Sequence, residues 1–242
     1  VDPTTDLPHL PDPEIHHDHR DVSGGWLRPT VFGMMDGLVS NFALIAGVAG
    51  AHATATDVSL AGIAGLVGGA FSMATGEYVS VQSQNEAAYA ELEVEEHELR
   101  HNAEAELREL AQMYVARGVD PHLAHQVAEQ LSRDPKQALL IHAQEELGVD
   151  PHQLPSPWTA AFSSLGSFSV GAFIPLLPYL AGAKHIVISA ILALVALFVA
   201  GVLTSRFTSR GWLFAGGRQL ALGVFAAVIT FGVGALFHAS VG

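Results

Sequence analysis

The sequence predicts an all-α membrane protein with five transmembrane helices and an acidic three-helix domain inserted between spans two and three. Three observations predict it. Half of the 242 residues are hydrophobic and only 14% are charged, a composition suited to helices buried in lipid. Five apolar stretches approach or exceed the roughly 20 residues that cross a bilayer as a helix. The 24 acidic and 11 basic residues leave a net charge of −13, and most of the acids fall in the N-terminal arm or between positions 86 and 150.

The elements follow in order. Residues 1–28 form a proline-rich, acidic arm with no basic leader and no apolar core, so it does not read as a cleavable signal peptide. His16, His17 and His19 within it read as scattered, solvated imidazoles. Residues 29–84 hold the first two spans. In the first, over 31–51, the apolar run is interrupted by Asp36, Ser40 and Asn41. Positions 36, 40, 43, 47 and 50 make one small, polar-tipped helical face, suited to close helix contact or to lining a pathway. The short segment AHATATD closes a membrane hairpin, and the second span is expected to begin near Val58.

In that second span Gly65, Gly69, Met73 and Glu77 recur every four residues and share a face. A carboxylate facing lipid costs at least about 2.5 kcal/mol, so Glu77 is expected to point into protein or an aqueous cavity. The span runs without a breaker into NEAAYAELEVEEHELRHNAEAELREL, which opens the acidic domain, residues 85–155. Asp120-Pro121 and Asp134-Pro135 are N-cap-plus-proline starts for helices over 121–132 and 135–147, the second stopped by Gly148. Residues 156–242 hold spans three to five, over 158–180, 185–207 and 212–238. Pro175 and Pro178 are expected to kink or end the third.

Charge decides orientation and excludes classes of function. With five spans, every basic residue except Lys184 falls on one side, so the arm and the acidic domain are expected in the cytoplasm and the C-terminus outside. Phosphate neutralisation requires a basic surface, which excludes nucleic acid as a partner. Cations are the natural partners of this one. The absence of cysteine leaves oxygen, imidazole and thioether as the only metal donors.

Three groups of residues carry that chemistry. Along one continuous helix Glu91, Glu95, Glu98, Glu106 and Glu109 fall on one face, beside a stripe of Leu92, Leu99, Leu107 and Leu110. If instead Asn102 starts a second helix, Glu95/Glu98 and Glu106/Glu109 become two E-x-x-E pairs on adjacent helices, an arrangement used by carboxylate-bridged metal sites. Glu86, Glu93 and Glu104 lie on the opposite side and read as solvated. His142 and Glu146, at i and i+4, can chelate one ion, with Glu145 alongside. Imidazole with carboxylate suits Fe, Mn, Zn or Co better than Ca or Mg. Asp36, Met73 and Glu77 form the intramembrane group, a mixed hard and soft set suited to a borderline divalent transition metal. The plainer reading of each group is a solvated acidic helix, a chance pair, and a methionine used for packing.

MDGLVSNFALIAGVAGA, AGLVGGAFSMATGEYVSVQSQ, QALLIHAQEELGVDP, GAFIPLLPYL and the Arg218-Gln219 pair together resemble the vacuolar iron transporter family over nearly the whole chain from Leu27 onward. The resemblance implies a homodimer of five-span chains, each with a cytoplasmic three-helix metal-binding domain, exporting Fe2+ and often Mn2+ from the cytosol against a proton gradient. It implies pathway roles for Asp36, Met73 and Glu77, and metal-binding roles for Glu95, Glu98, Glu106, Glu109 and Glu146. One departure stands out. Where the plant proteins carry a methionine pair before the last Glu, this chain has His142 and Ala143, which is expected to broaden the site toward Zn2+ or Co2+.

The mechanism expected from these residues is collection of Fe2+ by the acidic domain, passage to Met73, Glu77 and Asp36, and release by protonation, through a pore on a two-fold axis. The compact length points to a bacterial plasma membrane. No permanent cofactor and no enzyme activity are expected. Two other readings compete. One is a membrane-anchored iron-binding or sensing protein without transport, which has no use for acids inside the spans. The other is a ferroxidase, which wants paired E-x-x-H motifs, and Glu109 stands where that His would be.

Overall fold

A computed structural model describes residues 25–207 and 210–241; the histidines at positions 16, 17 and 19 lie outside these. The described residues form α1 (Leu27–Gly50), α2 (Ala55–His101), α3 (Ala103–Ala116), α4 (Pro121–Leu131), α5 (Pro135–Glu145), α6 (Pro157–Leu180), α7 (Ile186–Thr204) and α8 (Trp212–Val241), with a single 3-10 turn at Ser205–Phe207 and no strand. Five of these helices, α1, α2, α6, α7 and α8, are long and apolar enough to cross a membrane. The chain is a multi-pass integral membrane protein. Large apolar side chains such as Leu60, Ile188, Ile191 and Leu213 stay exposed on its flanks, as lipid contact requires.

Local chemistry explains where the helices start and stop. Thr54 and Asp57 form a capping box, Thr54 Oγ1 accepting from Asp57 N at 3.2 Å and Asp57 Oδ2 accepting from Thr54 N at 3.1 Å. This moves the start of the second span to Ala55, earlier than Val58. From there α2 runs 47 residues, out of the span and into the acidic region. Asp120 and Asp134 cap α4 and α5 through His122 N at 2.9 Å and Lys136 N at 3.0 Å. Helix α6 passes through Pro175 and stops at Leu180, two residues beyond Pro178.

Helix α1 is the centre of the membrane bundle, touching α2, α6, α7 and α8. Glycine makes the contact with α6 possible. A Cβ on Gly37 would lie 2.9 Å from Ala172 N, one on Gly33 2.9 Å from Ser164 O, and one on Gly171 3.0 Å from Leu38 N. These neighbours are backbone and cannot rotate away. On the other flank Gly47 and Gly234 bring α8 equally near, Gly47 facing Thr230 O at 3.3 Å. Close approach replaces the hydrophobic drive that lipid does not supply.

At one end of the bundle the starts of α1 and α6 meet the middle of α2. Asn85 Nδ2 donates to Pro155 O at 3.0 Å, and Gly25, with φ +68, packs on Pro155. Trp158 stacks near Tyr78 and Phe162, with centroids 4.8 and 5.8 Å apart, an aromatic group of the kind found at membrane interfaces. Beyond it, α3, α4 and α5 pack with the end of α2 around Leu110, Ala124, Ala128 and Ala143, all fully buried.

Substituting Gly37 by Val is expected to lower the stability of the solubilised protein by about 1–3 kcal/mol or to prevent folding, because the added carbons meet backbone. Gly166, with open space around it, should accept Ala with no loss. Melting in detergent, read by fluorescence-detected size exclusion, checks both.

Candidate functional site

The acidic helices converge on one buried point. Helix α2 ends at His101 and α3 begins at Ala103, with Asn102 between them, so Glu95/Glu98 and Glu106/Glu109 sit on two adjacent helices rather than along one face. Asn102 Nδ2 donates to Glu98 Oε2 at 2.5 Å, which ties the break to the preceding turn. Helix α5 then brings His142 between them. Its ring is fully buried, with Nδ1 3.0 Å from Glu95 Oε1, 3.3 Å from Glu146 Oε1 and 3.8 Å from Glu106 Oε2. One donor atom from each of Glu95, Glu106, His142 and Glu146 lies within 4.8 Å of the others.

The helix carrying His142 ends in time to shape the mouth of this site. Glu146 is its C-cap, donating its N–H to His142 O at 2.8 Å, and Gly148 takes the left-handed conformation at φ +64 that turns the chain away. Glu95 and Glu106 are buried while the Glu146 side chain keeps 20% exposure, so the site opens on the Glu146 side.

Three carboxylates this close repel one another and resist losing water. Burial first, and then the charges of Glu146 and Glu106, push the Glu95 carboxyl up to about 7. Glu106 is also raised, by burial and Glu109, against the opposing pull of His142. Glu95 Oε1 is buried with no polar neighbour of good geometry beyond its 3.0 Å approach to His142 Nδ1, and His142 Nε2 is buried without a hydrogen-bond partner among the described residues. A divalent cation among these groups would neutralise the carboxylates and take Glu95 Oε1 together with His142 Nδ1, the ring nitrogen that faces them. Oxygen donors with one nitrogen fit a borderline divalent transition metal.

Other sequence candidates fall elsewhere. Glu98 and Glu109 flank the quartet without contributing a donor to it. Glu145 does not stand alongside His142 and Glu146; it turns away to pair with Arg117, because that guanidinium at the end of α3 is within its reach. Glu91 and Glu93 are exposed, Glu86 accepts from Gln82 at 2.8 Å, and Glu104 faces Arg108 at 3.9 Å.

Inside the membrane bundle a cleft of about 250 Å³ lies between α1, α2 and α6, lined by Asp36, Ser40, Asn41, Leu44, Gly65, Gly69, Ser72, Met73 and Phe168. It joins Asp36 from the first span to Met73 from the second. Glu77, one turn beyond Met73, is buried at 8% exposure but does not line the cleft. Sequence reasoning gave Asn41 no role. The available signal was an amide side chain, after Asp36 and Ser40 the third polar group in the same span.

The model of the VIT family matches residues 27–235. The chain is 39% identical over 227 residues to a vacuolar iron transporter of Acanthamoeba castellanii, covering 90% of this chain and 82% of that one. It is 32% identical to a vacuolar iron transporter of Centaurea cyanus, with 90% of each chain covered. Identity to vacuolar iron transporter 1 of Arabidopsis thaliana is 31%, over 89% of this chain and 88% of the relative.

Metal binding at the quartet is expected to strengthen as pH rises through about 7, because the carboxyls must lose their protons to bind. Below that pH each bound ion should displace a proton from Glu95; well above it that release should vanish. Titration calorimetry of the solubilised protein with Mn2+ in buffers of different ionisation enthalpy measures the release. The Glu95→Gln variant should bind more weakly and lose most of the pH dependence.

Proposed function

We propose, from the premise that the chain belongs to the VIT family, that it is a membrane transporter moving Fe2+, and Mn2+ with it, out of the cytosol in exchange for protons. The observation that carries this reading is the continuity of α2, which bears Met73 of the membrane cleft and Glu95 of the buried quartet on one unbroken helix. A collecting site and a membrane site are thereby held in fixed relation. The relatives named as vacuolar iron transporters support iron as the cargo.

The acidic helices would lie on the cytosolic side, as the basic residues around them argue. There the quartet and its flanking Glu98 and Glu109 would raise the local concentration of the ion. His142 supplies a nitrogen donor, which favours Fe2+, Zn2+ and Co2+ over Mg2+. From the quartet the ion would pass by Glu77 to Asp36 and Met73. Proton uptake by these carboxylates from the far side would release it, since metal and proton compete for the same oxygen atoms.

One chain offers only one Asp36 and one Met73. Two copies meeting on a two-fold axis would offer two of each and enclose the path in protein rather than lipid. The face of α2 carrying Phe71, Ser72, Thr75, Gly76 and Val79 is exposed beside the cleft and is the surface such a partner would cover. The competing reading, a tethered iron-binding or sensing protein, explains the quartet but leaves Asp36 within the spans without use.

Proteoliposomes loaded with acidic buffer and given external Fe2+ test the proposal. Wild-type protein should accumulate Fe2+ and release protons from the lumen, and Asp36→Ala should reduce uptake to the level of empty vesicles. Metal binding without uptake by the wild type would favour the tethered protein instead.

A further inference from the structure

We infer that the side-chain carbonyl of Asn41 is a direct ligand for the ion in the membrane cleft and helps set which divalent metal passes, an assignment that rests on the transport reading above. Asn41 is 2% exposed, in the middle of α1, and lines the cleft together with Asp36 and Met73. Its Nδ2 donates to the carbonyl of Ala172 on α6 at 2.6 Å. A backbone carbonyl only accepts, so the amide group must be the end facing Ala172. The side-chain oxygen is therefore held away from α6, and it is buried with no hydrogen-bond partner among the described residues. A buried carbonyl oxygen left unpaired is unfavourable unless something binds to it.

Space for that something is maintained by glycine. A Cβ on Gly65 would stand 2.8 Å from Asn41 Oδ1, and one on Gly69 would enter the Phe168 ring, 2.6 Å from Cε1. A larger residue at Gly65 would crowd the oxygen directly, and one at Gly69 would displace the Phe168 ring that borders the cleft. The residues lining the space thus offer a carboxylate, a neutral carbonyl oxygen, a thioether and the hydroxyls of Ser40 and Ser72. A neutral oxygen coordinates a cation without adding negative charge, so it completes the shell while letting the ion leave when Asp36 is protonated.

The test measures initial rates of Fe2+ and Mn2+ uptake into proteoliposomes over a range of metal concentrations. Asn41→Ala should raise KM for Fe2+ about tenfold or more, the scale on which altered metal shells change affinity. Asn41→Asp, which adds a hard charged oxygen, should raise the ratio of Mn2+ to Fe2+ uptake and slow release at high luminal pH. Asn41→Ser keeps a hydroxyl donor for Ala172 and covers the case in which the alanine variant does not fold; it too should raise KM for Fe2+. An Asn41 that only joins α1 to α6, or only holds a water, would leave KM and the metal ratio unchanged while lowering both rates by one factor. That result overturns the assignment even though wild-type uptake and its loss in Asp36→Ala would still stand, whereas absence of wild-type uptake would remove the transport reading itself.

Discussion

The backbone hydrogen-bond ladder of α2 is the constraint on which the other features depend. It runs from the capping box at Thr54 to Asn102 without a break, first through hydrocarbon and then through water. From Met73 to Glu95 the helix rises about 33 Å at 1.5 Å per residue. A flexible linker over that distance would let the acidic helices sample many positions. A helix fixes both their height above the membrane and the rotation at which Glu95 meets its partners. The anchoring contact of Asn85 with Pro155 then ties this rod to the start of α6 just where it leaves the bundle.

Much of this was legible in the sequence, for identifiable reasons. The five spans showed themselves because length and apolar composition are local properties. The caps of α4 and α5 were readable because Asp-Pro acts within three residues. What the sequence left open was long-range or finely balanced. Whether α2 continued past Asn102 depended on a side-chain bond from Asn102 back to Glu98 competing with an otherwise good helical sequence. That Glu145 would leave the quartet depended on where Arg117 came to lie, 28 positions earlier in the chain. Asn41 could not be separated from any other small polar residue in a span until Ala172 was seen to hold one end of it.

The two sites use the same physical device with different donors. At each, an oxygen is buried with fewer partners than it can take, Glu95 Oε1 beside only His142 Nδ1 in the acidic helices and Asn41 Oδ1 with none among the described residues in the bundle, and at each a neighbour holds it in place. His142, wholly buried, cannot turn outward without leaving a void where its ring packs. Asn41 cannot turn without giving up its bond to α6 and presenting its oxygen to another oxygen. Side chains in this position would meet a cation already preorganised, because the unfavourable step of burying them is completed during folding.

Preorganisation raises a difficulty for the proposed route, since a site that binds too tightly does not pass its ion on. The protonation of Glu95 resolves it. A carboxyl pushed up to about 7 is divided between its two forms near neutral pH, so a proton competes with the metal for the same oxygen atoms. Three fully ionised carboxylates and an imidazole would hold a transition metal strongly; one proton shared among them weakens that hold and speeds exchange. On the proposed route, the crowding that makes the quartet repel itself would also keep it a station on the path, and adding further buried acid there would favour exchange only until the site became too protonated to collect metal at all.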